Sequence, residues 1–213
     1  MRRLRPHSSW HRGALTSVVL LAVGGFAEPL TGQTCWRGVA PLDFPQPEEF
    51  PAVVAAVIEI PTGSFVKYEI DPATGVPVVD RFVSMPVAYP ANYGFIAQSL
   101  QEDGDPLDIL VFTRAPLDPG VVIPARPIGL LKMTDRGELD DKVIAVPADE
   151  IDPSYSEIES LADLPVLDRE RLEAFFRIYK ELPQGAQTVT TAGFEDLAAA
   201  VGAIEVAVTR CRD

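Results

Sequence analysis

Val53–Phe82 reads VVAAVIEIPTGSFVKYEIDPATGVPVVDRF, three short runs separated by turn signals. Val53–Ile60 is almost continuously apolar. Val66–Ile70 follows across Thr62-Gly63-Ser64, and Val76–Phe82 follows across Pro72-Ala73-Thr74-Gly75. Runs of this length, rich in valine and isoleucine and bounded by glycine and proline, predict β-strands. Downstream the same pattern predicts strands at Gly94–Gln98, Leu107–Phe112, Val121–Lys132 and Lys142–Val146. The period then changes. Val166–Leu182 sets Leu167, Leu172, Phe175, Phe176 and Tyr179 at helical spacing, and Phe194–Val208 repeats this with Leu197, Val201, Ile204 and Val208. Strands first and helices later predict an α+β, mostly β fold, an antiparallel barrel or sheet with helices packed outside it. No fixed period recurs, which excludes solenoids and propellers.

Upstream, Pro41–Pro51 (PLDFPQPEEFP) reads as an extended, proline-rich lead-in. Residues 1–12 are arginine-rich, and Gly13–Ala27 is an almost uncharged apolar run. Such a run is short for a membrane span but suits the hydrophobic part of a secretory signal, cleavable after Ala27. The expected organisation is a signal peptide at 1–27, a lead-in at 28–51 and one domain at 52–213. Export to the periplasm or beyond is the expected location, with no membrane span after processing; a cytoplasmic chain is the alternative. In an oxidising compartment Cys35 and Cys211, the only two cysteines, either join the lead-in to the tail or stay unpaired, and both readings stand.

The 213 residues are 47% hydrophobic, enough for one substantial core. Beyond residue 40, 13 basic residues face 30 acidic ones, a net charge of −17. A body so acidic would repel a nucleic-acid backbone, so nucleic acid is excluded as a partner. Both histidines, His7 and His11, lie in the N-terminal arm. Without histidine the body has no Ser-His-Asp or Cys-His nucleophile and no zinc site built on His and Cys. Carboxylate, lysine, arginine and tyrosine remain, a set suited to hard cations such as Mg²⁺ and to anionic substrates.

Asp103-Gly104-Asp105-Pro106-Leu107-Asp108 places three carboxylates at the mouth of the apolar run Ile109-Leu110-Val111. Crowded this way they repel one another, and shared cations relieve that repulsion most simply. The segment is not an EF-hand loop, because the required glycine and glutamate positions hold Asp108 and Arg114. A second cluster, Asp135-Arg136-Gly137-Glu138-Leu139-Asp140-Asp141-Lys142, lies between two predicted strands. Alone it reads as a solvated hairpin; beside the first cluster it can help bridge several cations, as two-metal phosphoryl chemistry requires. Lys67, Arg81, Tyr89, Tyr93, Lys142, Tyr179 and Lys180 form a third set, cationic and aromatic, able to hold a phosphate.

Seven motifs then occur in order over roughly residues 52–182: VIEIP (Val57–Pro61), KYEID (Lys67–Asp71), DRF (Asp80–Phe82), YPANYG (Tyr89–Gly94), DGDPLDILV (Asp103–Val111), GLLKMTD (Gly129–Asp135) and YK (Tyr179–Lys180). Together they resemble the soluble, magnesium-dependent inorganic pyrophosphatases, family I of bacterial type. The resemblance implies an OB-like five-stranded β-barrel flanked by C-terminal α-helices, in a homo-oligomer that is hexameric in bacterial relatives. It also implies Mg²⁺-dependent hydrolysis of pyrophosphate to two orthophosphates by a metal-activated water, several ions per site, with Mn²⁺ or Zn²⁺ as substitutes. By the same resemblance Asp103, Asp108, Asp135 and Asp140 match metal ligands, with Glu59 and Glu69 reaching metal directly or through water. Asp105 matches the general base, and Tyr93 lines the site beside the nucleophile. Lys67, Arg81, Lys142, Tyr179 and Lys180 match the groups that hold the phosphates.

Three features depart from the family pattern. Arg136 stands where many bacterial relatives carry an acid. Gly185–Thr191 (GAQTVTT) lacks the usual tryptophan and lysine, and the signal-like arm is unusual for a family that is generally cytoplasmic. A non-catalytic exported relative that binds phosphate or cations is the alternative, although such a relative would be expected to lose Asp105 or a phosphate-binding cation, and all are present.

Overall fold

The computed structural model describes Cys35, Trp36 and residues 38–183 and 189–212. The signal-like arm at 1–27, the start of the lead-in and part of the 185–191 segment lie outside the described residues. Among those described, no helix is long and apolar enough to cross a membrane.

Five strands close into a ring. β1 (Val54–Ile60) pairs with β4 (Asn92–Ile96) on one side and with β6 (Val122–Asp135) on the other. β4 continues to β5 (Asp108–Val111), β5 to β8 (Lys142–Pro147), and β8 returns to β6. Pairing on both edges and burial on both faces explain why β1 is nearly all apolar in sequence. β2 (Val66–Ile70) and β3 (Pro77–Phe82) form a separate hairpin.

The α+β, mostly β expectation is borne out, with three corrections. The barrel is not wholly antiparallel, because β5 and β8 run parallel. Their connection passes through β6, long enough to make the crossover that parallel neighbours need. Next, Phe194 is not helical. It lies in β9 (Val189–Glu195), an added strand on the outer part of β6. The helix α2 (Leu197–Arg212) starts only after Asp196, whose carboxylate accepts from the Ala199 amide at 3.0 Å and caps it. Finally, α1 (Val166–Ile178) stops short of Leu182, since the residue before a proline, here Pro183, is disfavoured in helix.

The helices cover different parts of the barrel. Ala200, Ile204, Ala207 and Val208 of α2 join Val54, Ile58, Ile109 and Val143 in one core cluster. Leu172, Phe175 and Phe176 of α1 join Leu110, Leu131 and Ile144 in another. Buried Asn92 ties strand ends together: its carbonyl accepts from the Thr62 and Leu117 amides at 3.0 and 2.9 Å, and its amide donates to Thr113 Oγ1 at 2.7 Å.

Gly94 of β4 sits opposite Ile58 of β1, and an added Cβ would be driven into the Val57 carbonyl oxygen. Gly94→Ala is expected to cost about 3 kcal/mol by forcing the strands apart. A urea midpoint within error of the parent would refute that account.

Candidate active site

The barrel mouth gathers four pieces of chain. The β2–β3 hairpin sets Lys67 opposite Arg81. The 99–108 loop brings Asp103, Asp105 and Asp108; its turn needs Gly104, whose φ of 93° is a left-handed value that favours glycine. A tight hairpin between β6 and β7 (Glu138–Leu139) carries Asp135 and Asp140. Its two corner residues, Arg136 and Gly137, both have positive φ (53° and 88°), the requirement of a two-residue turn between twisted strands. Asp141 pins this hairpin, accepting from the Met133 amide at 3.1 Å and pairing with Lys132. The fourth piece is the end of α1, where Tyr179 and Lys180 project from an aromatic stack in which Phe175 lies 5.0 Å from Tyr179 and 4.7 Å from Tyr89.

These pieces enclose a cleft of about 640 Å³. Glu59, Glu69, Asp103, Asp105, Asp108, Asp135 and Asp140 line it together with Lys67, Arg81 and Lys180, with Tyr89, Tyr93 and Tyr179 in its walls. Every site residue expected from sequence is therefore in one cleft, with one exception. Lys142 does not line it. Only 1% exposed, it lies behind the carboxylates with its Nζ bonded to both Asp108 and Asp140. Burial pulls this ammonium's pKa down, but Asp108 and Asp140 outweigh it and hold the pKa above its ordinary value.

Lys67 pairs with Glu69 and, at 3.2 Å, with Asp80, which also takes the Arg81 guanidinium at 2.5 Å. Asp80 is a holder of two cleft cations that sequence reasoning did not single out; its adjacency to Arg81 was the available signal. Trp36, Leu42, Gln101 and Arg136 also reach the cleft and were not foreseen there. Lys180 donates to Asp135 Oδ2 at 2.5 Å, and burial nonetheless holds its pKa below the ordinary lysine value.

The acid side carries more negative charge than these lysines neutralise. Burial, and then Asp103 and Asp108, push the Asp105 pKa up. Burial raises Asp140 despite Lys142. Asp135 Oδ1 is buried and accepts no hydrogen bond from the protein. An orphaned carboxylate oxygen among oxygen-only donors fits a hard divalent cation. Among the described residues no three carboxylates yet converge on one point; lysines hold them instead.

The inorganic pyrophosphatase family model matches residues 56–212. The chain belongs to that family. Within it, the inorganic pyrophosphatase of Aquifex pyrophilus is 50% identical over 143 residues, covering 67% of this chain and 81% of its own. That of Sulfolobus acidocaldarius is 46% identical over 160 residues, covering 75% and 92%. The crystal structure of the Thermus thermophilus inorganic pyrophosphatase superposes with a TM-score of 0.76 at 39% identity, covering 81% of this chain and 98% of that one. Family membership makes the chain a hydrolase of the phosphoric anhydride class. The pyrophosphatase match begins at Ala56, so Trp36 and Leu42 reach the cleft from outside it.

Glu59 gives a pH prediction. Burial drives its pKa to about 8, against the opposing Ile70 amide, which donates to it at 2.8 Å. A carboxyl whose folded pKa is raised binds its proton more tightly folded than unfolded, so stability falls as pH rises from the ordinary glutamate range to about 8. Metal-free protein is expected to lose roughly 3 kcal/mol over that window, and Glu59→Gln should remove most of the slope. Urea titrations from pH 5 to 9 check this; an unchanged slope in Glu59→Gln would place the proton elsewhere.

Proposed function

We propose that the chain hydrolyses inorganic pyrophosphate to two orthophosphates with Mg²⁺ as cofactor. The observation that carries this is the gathering of the seven carboxylates named above with Lys67, Arg81 and Lys180 around one cleft, in a chain of this family. Mg²⁺ held by Asp103, Asp108, Asp135 and Asp140, with Glu59 and Glu69 in support, would supply activation of water and neutralisation of phosphate charge.

The chain's own groups do the rest. Asp105 takes the proton of the attacking water; its raised pKa brings it nearer neutrality, where a base works best. Its position is set by backbone: its amide donates to Asp103 Oδ1 at 3.0 Å, and its carbonyl accepts from the Gln101 amide at 2.7 Å. Lys67, Arg81 and Lys180 bind the phosphates, and the departing charge is met there. Tyr93 and Tyr179 stay protonated, since burial pushes both phenols far above their usual range, so each can donate to a phosphate oxygen. Lys142 acts from behind, keeping Asp108 and Asp140 together.

The reading further holds that the chain is exported and acts as a homo-oligomer. A disulfide between Cys35 and Cys211, 176 residues apart, supports the first, because such bonds persist in oxidising compartments. Cell fractionation and light scattering on the purified chain test these two points.

The deciding experiment is phosphate release from pyrophosphate by the full chain, with and without Mg²⁺. Rapid release that requires Mg²⁺ supports the enzyme. Saturable pyrophosphate binding without release, from folded and metal-loaded protein, would overturn it in favour of a binding protein.

A further inference from the structure

The cleft wall outside the family match points to a role for the lead-in. Trp36 lines the cleft and packs against the cluster of Leu42, Val57 and Phe95. Its indole Nε1 donates to the Ser99 carbonyl at 3.2 Å. Trp36 holds a φ of 55°, a left-handed value that costs a tryptophan about 1–2 kcal/mol and persists only where surrounding contacts impose it. One such constraint is next door, the Cys35–Cys211 disulfide.

The opposite end of that bond grips the same place. Arg210, beside Cys211, donates to the Leu100 carbonyl at 3.2 Å and pairs with Glu102 at 3.2 Å. The Leu100 amide donates to the Ala207 carbonyl at 3.0 Å. Thus Trp36 and Arg210, the immediate neighbours of the two bonded cysteines, hold the consecutive carbonyls of Ser99 and Leu100. Those residues are the root of the loop carrying Asp103, Asp105 and Asp108. Ser99 passes the constraint on, because its hydroxyl accepts from the Leu107 amide at 2.9 Å, one residue from Asp108.

Resting on the pyrophosphatase reading above, we propose that Trp36 is a positioning residue for the Asp103–Asp108 loop and a wall of the pyrophosphate cleft, latched there by the Cys35–Cys211 disulfide. Reduction by a dithiol transfers two electrons and two protons to the bond, leaves two thiols and closes the reductant into its own cyclic disulfide. The tether is then open. Trp36 is free to leave its left-handed conformation, and the loop loses one of its two struts.

Trp10 and Trp36 are the only tryptophans, so the full chain carrying Trp10→Phe reports on Trp36 alone. With the disulfide intact, Mg²⁺ and imidodiphosphate should shift its emission. Dithiothreitol should abolish that shift and raise the Mg²⁺ concentration for half-maximal phosphate release about tenfold, the scale seen when groups behind metal ligands are removed. The double variant Cys35→Ser/Cys211→Ser should behave the same without reductant. Trp36→Ala should reproduce the Mg²⁺ effect with the disulfide intact, and Trp36→Phe, lacking only the indole donor, should fall between. The melting temperature is no test, because opening the bond lowers it whatever Trp36 does. Unchanged emission on adding ligand, or an unchanged Mg²⁺ requirement in both the reduced chain and Trp36→Ala, would overturn the proposal. A parent chain that releases no phosphate while its Trp36 emission still responds to Mg²⁺–imidodiphosphate would sink the enzyme reading and leave the wall in place.

Discussion

Asp105→Asn is expected to lower turnover by about 10²–10⁴-fold while leaving the fold intact. Asparagine has the same shape but no oxygen able to take a proton near neutrality. The local structure is held by backbone rather than by the carboxylate, because Asp105 bonds Asp103 and Gln101 through its amide and its carbonyl. Stability should hold or rise. The pKa of Asp105 is raised by burial and by Asp103 and Asp108, so its ionised form is disfavoured in the folded chain, and removing that charge relieves the crowding. Loss of turnover without loss of stability separates a proton acceptor from a structural acid. Phosphate release and urea unfolding of the two proteins give the comparison. A variant keeping more than about a tenth of the parent's turnover would not have lost its general base. Glu59, with its pKa at about 8, would then be the next candidate.

What the sequence made legible follows from how local each signal is. The predicted range for β2 agrees with the structure, and that for β1 starts one residue early, because their apolar runs end at Gly and Pro turns. Asp103, Asp105 and Asp108 were legible because they are contiguous. Other features depended on contacts distant in sequence. β9 is half-exposed, and Phe194 falls in phase with the helix that follows it, so periodicity alone places the strand's last two residues, Phe194 and Glu195, in that helix. Lys142 has the residue type of a phosphate ligand, but composition does not say on which side of the carboxylates it lies. Trp36 gave no signal, since its place depends on a disulfide spanning 176 residues and on a carbonyl 63 residues away.

Lys142 also carries the largest expected effect on stability. Its ammonium is almost wholly buried and bonded to Asp108 and Asp140, so Lys142→Met, of similar length and apolar, removes the charge while keeping the volume. Two partly buried carboxylates are then left facing each other. Removing one member of a buried ionic group costs about 3–5 kcal/mol, chiefly because the remaining charges lose their partner. The loss has a sign in pH. Without the lysine, Asp140, whose pKa burial raises even beside that ammonium, holds its proton more tightly in the folded state than unfolded, so the cost is small in acid and grows as pH rises. It also has a sign in metal. If Asp108 and Asp140 bind Mg²⁺, the cation replaces the missing ammonium, binds the folded chain alone and restores part of the stability. Urea unfolding of parent and variant at pH 5 and pH 8, with and without Mg²⁺, should therefore show the widest gap at pH 8 without metal. A deficit of the same size under all four conditions would mean that the loss does not come from uncovering the charges of Asp108 and Asp140, and would remove the support Lys142 gives to them as a metal-binding pair.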